Sequence, residues 1–155
     1  MIIVRPIVPE DSDGIRRVSE SATATLRETY RPNQKALENQ RRFASQLNRL
    51  VALVEGEIAG TTQFYRDGKA LRIIGLFVHS EYRRRGVARA LVGAVADIAR
   101  TQGVDLLVTR TVKETGNVPI FEKMGFEVLS VHPDEYSESD KYRQLSEVGF
   151  QMKIK

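Results

Sequence analysis

The sequence predicts one mixed α/β domain. Three observations carry this: short apolar runs that read as strands, longer stretches of helical periodicity, and glycine- or proline-marked breaks between them. Ile2-Ile3-Val4 with Ile7 gives a first strand. Pro9-Glu10-Asp11 brings a first-turn proline and acidic residues, a helix start, and Ile15, Val18, Ala22 and Leu26 follow at helical spacing. Arg31-Pro32-Asn33 ends that pattern, because proline restricts its predecessor and cannot extend a helix. A second, very polar helix is expected from about residue 34 to 48, with Leu37, Phe43 or Ala44, and Leu47 turned inward.

Residues 51–54, 58–65 and 73–78 follow as three strands. The turns between them, Glu55-Gly56-Glu57 and Arg66-Asp67-Gly68-Lys69, are short enough for an antiparallel meander. Val87, Leu91, Val95 and Ile98 then mark one face of a long helix that Gly103 ends, and residues 104–108 form a buried strand. Residues 115–119 read as a loop opening a short helix over 120–124, with Gly125 as its C′ residue. Residues 126–131 and 148–154 alternate like strands, and 132–146 between them reads as a long polar loop. The order is β-α-α-β-β-β-α-β-α-β-β, without a repeat or linker, so residues 1–155 are expected to form a single domain.

Composition narrows the function. With 155 residues, 41% of them hydrophobic, the chain can bury one real core. Its 24 basic and 20 acidic residues leave a net charge of +4, which favours anionic ligands such as phosphates but is too small to demand nucleic acid. The absence of cysteine excludes disulfides, thiolate metal sites and a covalent cysteine mechanism. With two histidines besides, no metal site is expected. No long apolar run predicts a membrane span, and the first residues lack a signal-peptide pattern, so a soluble cytoplasmic protein is expected.

The stretch from Leu71 to Ile98 carries the chemistry. Apolar Ile73-Ile74-Gly75-Leu76-Phe77-Val78 runs through a short turn into Arg83-Arg84-Arg85-Gly86-Val87-Ala88 and then into the long helix. A strand that ends in a basic, glycine-containing turn and opens a helix is a phosphate-binding device. The first helical amides lack partners, and the helix dipole places positive charge there. Gly86 is expected to let a phosphate approach backbone that a Cβ would obstruct. A basic nucleic-acid-binding domain explains the arginines less well, since no aromatic residues interleave with them. A Walker-type phosphate loop is excluded, because Gly-x-x-x-x-Gly-Lys-Ser/Thr does not occur.

Two motifs together resemble the GNAT acyl-CoA N-acyltransferase superfamily over nearly the full chain. The first is Arg83-Arg84-Arg85-Gly86-Val87-Ala88 with its lead-in Val78-His79-Ser80-Glu81-Tyr82. The second is Phe121-Glu122-Lys123-Met124-Gly125-Phe126, in the right order with the meander before and two strands after. The resemblance implies a mixed, mostly antiparallel sheet of about six to seven strands flanked by about four helices. It implies acetyl-CoA as co-substrate, its pyrophosphate on the amides of residues 84 to 89 with Arg83, Arg84, Arg85 and Arg89 around it, and Gly86, Val87 and Ala88 at the helix start. It further implies that Leu76, Phe77 and Val78 splay from the following strand to take the pantetheine. The Val78 backbone N–H would then stabilise the developing oxyanion, with Asn117 and Phe121 bordering the cofactor.

Two positions depart from the family pattern. Where many relatives carry a tyrosine that protonates the departing thiolate, this chain has Phe121, without a hydroxyl. Where many carry a glutamate base it has Arg72, which stays protonated. Glu28, Tyr30, Tyr65, Tyr136 and Tyr142 are candidate substitutes, while His79 reads as structural and His132 shows no ligand partners in the loop. The expected activity is acetyl transfer from acetyl-CoA to a primary amine, small-molecule or protein, and the alternative is a non-catalytic acyl-CoA-binding module. The resemblance also implies that the chain can pair into a homodimer, while the small net charge and the lack of a long apolar run lead to no expected nucleic-acid or membrane partner.

Overall fold

The central meander forms where alternation and turn chemistry require it. In the computed structural model, which describes residues 1–154, β3 (Asn48–Val54), β4 (Glu57–Asp67) and β5 (Ala70–Val78) pair antiparallel in sequence. β1 (Ile2–Pro6) joins the outer side of β3. On the other side β5 meets β6 (Leu106–Val112) in parallel, and β9 (Ser146–Lys153) and β7 (Glu127–Pro133) continue the sheet antiparallel. The result is a seven-stranded mixed sheet in the order β1-β3-β4-β5-β6-β9-β7. Four α-helices accompany it: α1 (Ser12–Leu26), α2 (Gln34–Phe43), α3 (Val87–Thr101) and α4 (Val118–Lys123). The expected α/β architecture is therefore present.

The core lies between α3 and one face of the sheet. Val87, Leu91 and Val95 are buried as the periodicity requires, together with Val92, Ala96 and Ala99, against Ala52, Phe64, Leu71, Ile73, Leu107 and Phe150. Gly60 on β4 makes this contact close. A Cβ there would sit 2.7 Å from Val87 Cγ1 and 3.0 Å from the Phe77 carbonyl oxygen. The first turn of α3 thus presses on bare backbone beside the end of β5. α1 covers β4 and β5 from the opposite face, burying Val18 and Ala22.

The structure corrects three expectations. α2 ends at Phe43, a short 3-10 turn follows, and β3 already begins at Asn48. No α2 residue is buried, and Leu37 keeps 40% of its surface exposed. With Gln34, Lys35, Glu38, Arg41 and Arg42 around it, this helix has too few apolar residues to enter the core. Third, the region read as a loop over 132–146 is partly ordered pairing. β7 runs to Pro133, and β8 (Ser137–Glu138) pairs with β2 (Arg31–Pro32) as a separate two-stranded ribbon. No helix among the described residues is long and apolar enough to cross a membrane.

One buried charge fixes the entry into α1. Asp11 is buried and accepts from the Arg5 guanidinium through both oxygens (2.8 and 3.0 Å), and from the Val8 amide at 2.8 Å. The Arg5 bond first, and the Val8 N–H second, hold the Asp11 carboxyl below the usual carboxylate range. Because the folded-state pKa is the lower one, the stabilisation is present above about pH 4 and is lost as pH falls through the folded value.

Two substitutions test this packing. Asp11→Asn should cost about 1–3 kcal/mol at pH 7, with the gap to wild type closing as pH falls below about 4. Urea titrations at several pH values read it; a pH-independent gap contradicts the assignment. Gly60→Ala should cost about 1–3 kcal/mol by overpacking, seen as a lower urea midpoint, whereas a neutral result would mean that α3 yields freely.

Candidate active site

β5 and β6 begin side by side and then part. Their parallel ladder covers Leu71–Leu107 and Arg72–Val108. The buried Thr109 hydroxyl adds one tie, donating to the Ile73 carbonyl at 2.9 Å. Beyond it β5 continues with β4 and β6 with β9, so a wedge opens between Leu76-Phe77-Val78 and the end of β6. The register of β5 also slips against β4 near Ile74, where Phe64 faces Ile73 and Gln63 faces Gly75. The His79 amide donates to the Ala59 carbonyl on β4 at 2.9 Å. Alternation along the strand therefore turns the polar backbone of Phe77 toward β4, and that of Leu76 and Val78 toward the wedge.

The chain leaving the wedge is tightly directed. His79 Nδ1 accepts from the Glu81 amide at 3.1 Å and caps a short 3-10 turn. His79 is structural, as read from the sequence. The Ser80 amide donates to Ser21 Oγ at 3.0 Å, tying the turn to α1. Arg84 and Gly86 then take left-handed φ of 65° and 83°. Successive amides in such a run form a concave nest for an anion. α3 starts immediately after, and no side chain caps it.

Arg83, Arg84 and Arg85 are exposed around this helix start, with the Arg85 guanidinium 5.4 Å from the Tyr82 ring centroid. Arg89 donates to the Lys123 carbonyl at 3.0 Å and so links α3 to α4. Gly86 has a second reason to be glycine besides leaving room for a phosphate: only Ile2 Cδ1, at 4.0 Å, stands near its absent Cβ, but its φ of 83° is one that other residues rarely adopt.

The second motif folds as α4 and its exit. Asn117 is the N-cap, yet its side chain makes no capping bond and is left for other partners. The Phe121 ring stacks on Phe150 (5.1 Å between centroids) and meets Phe126 edge-on at 5.8 Å. Its position therefore anchors α4 to β9. Arg72, at the point where the strands part, bonds through Nε to Asp67 Oδ2 at 2.9 Å and stands opposite Tyr65. Tyr65 in turn stacks on Phe43 at 5.5 Å.

The remaining candidates divide. Tyr30 packs under the Arg27 guanidinium, Glu28 is exposed in the turn after α1, and Tyr142 is 40% exposed. Tyr136 is different, held between Arg110 Cζ (4.7 Å) and Lys35 Nζ (5.1 Å). His132 lies on β7, not in a loop, and its Nε2 is 3.2 Å from Glu147. Glu147, buried on β9, also faces Arg110 at 3.5 Å. Sequence reasoning missed this carboxylate. It lies just before the strand read over residues 148–154, where no pattern marks it.

The ribbon of β2 and β8 ties these parts together. Arg31 reaches Glu138 (3.0 Å) and Asp140 (3.1 Å), Lys35 reaches Glu135 (3.1 Å), and the Asn33 amide donates to the Tyr136 carbonyl. The Lys35 bond holds the Glu135 carboxyl below its usual range, and Asp140 raises Arg31. Two open depressions of about 500 and 530 Å³ lie around Ile7 and Arg49. The larger reaches Ile98 and Gln102 at the C-terminal end of α3, whereas the wedge opens at its N-terminal end. Neither borders the wedge or the uncapped amides.

Comparison with known proteins gives one consistent answer. The structure superimposes on the ribosomal-protein-S18-alanine N-acetyltransferase of Escherichia coli with TM-score 0.75 at 17% identity, covering 99% of this chain and 94% of that one. The PaiA N-acetyltransferase of Thermoplasma acidophilum, solved in complex with coenzyme A, gives 0.73 at 16% identity over 99% of both chains. At such identity the likeness is one of fold. In sequence, 60 residues are 42% identical to human N-acetyltransferase 8, a stretch covering 37% of this chain and 26% of that protein. The family model described as the acetyltransferase (GNAT) family matches residues 15–126, from α1 through both motifs, and the chain belongs to that family.

Proposed function

We propose that this protein transfers an acetyl group from acetyl-CoA to a primary amine by direct attack. The observation that carries the reading is a juxtaposition: the edge of β5 that turns away from β4 runs directly into an uncapped helix start ringed by arginines. An extended pantetheine needs a strand edge to pair with, and a pyrophosphate needs unpartnered amides at a helix N-terminus. Leu76, Phe77 and Val78 supply the first; the amides of residues 84 to 89, with Arg83, Arg84 and Arg85, supply the second. The Asn117 side chain makes no capping bond, which leaves it available to a ligand. The coenzyme A bound in the Thermoplasma neighbour agrees with this choice of ligand.

The thioester supplies an activated acetyl group. As the amine adds, the C–N bond forms, the C–S bond breaks, and one amine proton leaves for the thiolate or solvent. The Val78 amide, on the wedge edge beside that of Leu76, donates to the oxygen on which charge collects. Loss of one such donor typically costs about 10²–10³ in rate. Arg72 is bound to Asp67 and does not accept a proton. Phe121 is committed to an aromatic cluster. Transfer therefore rests on positioning, the backbone donor and solvent-mediated proton movement. The same two residues favour a second reading, a module that binds acyl-CoA without turnover.

Millimolar acetyl-CoA should raise Tm, as any ligand of the native state does; an unchanged Tm would sink both readings. Gly86→Ala and Gly103→Ala form a matched pair. Both glycines have positive φ (83° and 71°) and open surroundings, so each substitution should cost about 1–2 kcal/mol of stability. Acetyl-CoA affinity should fall at least tenfold in the first and stay unchanged in the second. Equal affinities would remove the pyrophosphate assignment. Thiol release in the presence of a panel of primary amines then separates catalysis from binding alone.

A further inference from the structure

The ribbon of β2 and β8 crosses the seam that the wedge leaves in the sheet. β2 follows within a few residues of α1, which packs on β4 and β5. β8 comes between β7 and β9 in the chain, and both belong to the half beyond the wedge. The ribbon is clasped as well as paired. Arg31 holds Glu138 and Asp140 at 3.0 and 3.1 Å, and the Ser139 hydroxyl donates to the Thr29 carbonyl. Asn33 Nδ2 donates to the Glu135 carbonyl at 2.8 Å.

Alternation fixes the face on which this ribbon lies. Leu71, Ile73, Val148 and Phe150 turn into the core beneath α3. Arg72 therefore stands on the α1 face. So do Arg110 and Glu147, since Thr109 and Thr111 are the β6 residues opposite Phe150 and Val148. The Tyr136 ring lies 4.7 Å from Arg110 Cζ, which carries the segment before β8 over β6 on this face. From the ribbon α2 runs back toward the vertex, where Phe43 stacks on Tyr65, the residue opposite Arg72. The space between α1 and α2 is thus closed at the wide end of the wedge.

We propose that the acceptor carries its amine at a slender free end, with no chain beyond it, and that a lysine flanked by polypeptide is excluded. This rests on the acetyl-transfer reading, in which coenzyme A fills the wedge from the α3 side and the amine comes from the α1 side. A ribbon stacked on a sheet stands about 10 Å above it. The spacing here agrees, because an arginine side chain and then 4.7 Å separate β6 from the Tyr136 ring. A lysine Nζ reaches only about 6 Å from its own Cα. To deliver that amine, the flanking chain would have to sink between α1 and α2 and leave at both ends. The ribbon blocks one of those exits. A low-molecular-weight amine, or the first residues of a chain, needs one entrance alone.

Conjugates in which an acetyl bridge joins the coenzyme A sulfur to an amine test this by calorimetry, without requiring turnover. Propylamine, the central lysine of an Nα-acetylated heptapeptide and the N-terminal amine of a lysine-free heptapeptide supply the three amines. The propylamine conjugate should bind at least as tightly as coenzyme A. The lysine conjugate should bind at least tenfold more weakly than the propylamine one. Combining Arg31→Ala with Ser139→Ala releases the clasp, and that gap should then shrink at least fivefold with coenzyme A affinity unchanged. Equal affinities of these two conjugates for wild type would overturn the proposal, and so would an unaltered gap in the variant. The N-terminal conjugate tells the two sources of a free end apart. Affinity matching that of the propylamine conjugate admits a chain end, and a tenfold loss confines the acceptor to small molecules. Affinity for coenzyme A alone, titrated alongside, tests the cofactor assignment separately.

Discussion

A sheet that stops pairing at its middle must leave backbone groups facing one another across a gap, and the rest of this structure is built to hold that gap open. Unpaired amides and carbonyls are costly when buried, so two strands diverge stably only if each is held from its outer side. β5 is held by β4, and the bond from His79 to Ala59 extends the hold to its last residue. β6 is held along its length by β9. The Thr109–Ile73 hydrogen bond marks the vertex. Gly60 draws α3 onto the β4–β5 side, while Phe121, Phe126 and Phe150 bind α4 to the β9 side. Each half is a packed unit, and the wedge is the seam between them.

The same seam explains what could be read from the sequence. The meander, α3 and the two motifs were legible because local signals and the tertiary arrangement agree there. Apolar alternation, turn residues and the three-arginine run require no distant partner to be recognised. The parting of β5 from β6 followed only from the family resemblance. Nothing in Leu76-Phe77-Val78 distinguishes a strand with one neighbour from a strand with two. The glycine at position 86 was visible, but its backbone conformation was not: a sequence shows that a side chain is absent, not that φ is 83°.

The least legible part is the roof over the β6–β9–β7 side of the sheet. A two-residue strand such as Arg31–Pro32 has no periodicity to detect. It exists because Arg31 finds Glu138, 107 residues away, and because Asn33 and Lys35 find Tyr136 and Glu135. α2 was misjudged for a related reason. Its charges suggested a solvated helix with one apolar stripe to bury, whereas it is held through Asn33, Lys35 and the stacking of Phe43 on Tyr65.

Charge on this side is arranged as pairs, which bears on how an amine would be received. Arg72 is bound to Asp67, Arg110 faces Glu147 and Tyr136, Lys35 faces Glu135 and the same ring, and Arg31 holds two carboxylates. Exposed ion pairs contribute little stability one by one. Their geometric effect is larger, because the pairs fix where these cations stand. The arginine run, by contrast, is exposed around a helix start and carries no carboxylate within it, so it would attract the anionic ligand proposed above from a distance.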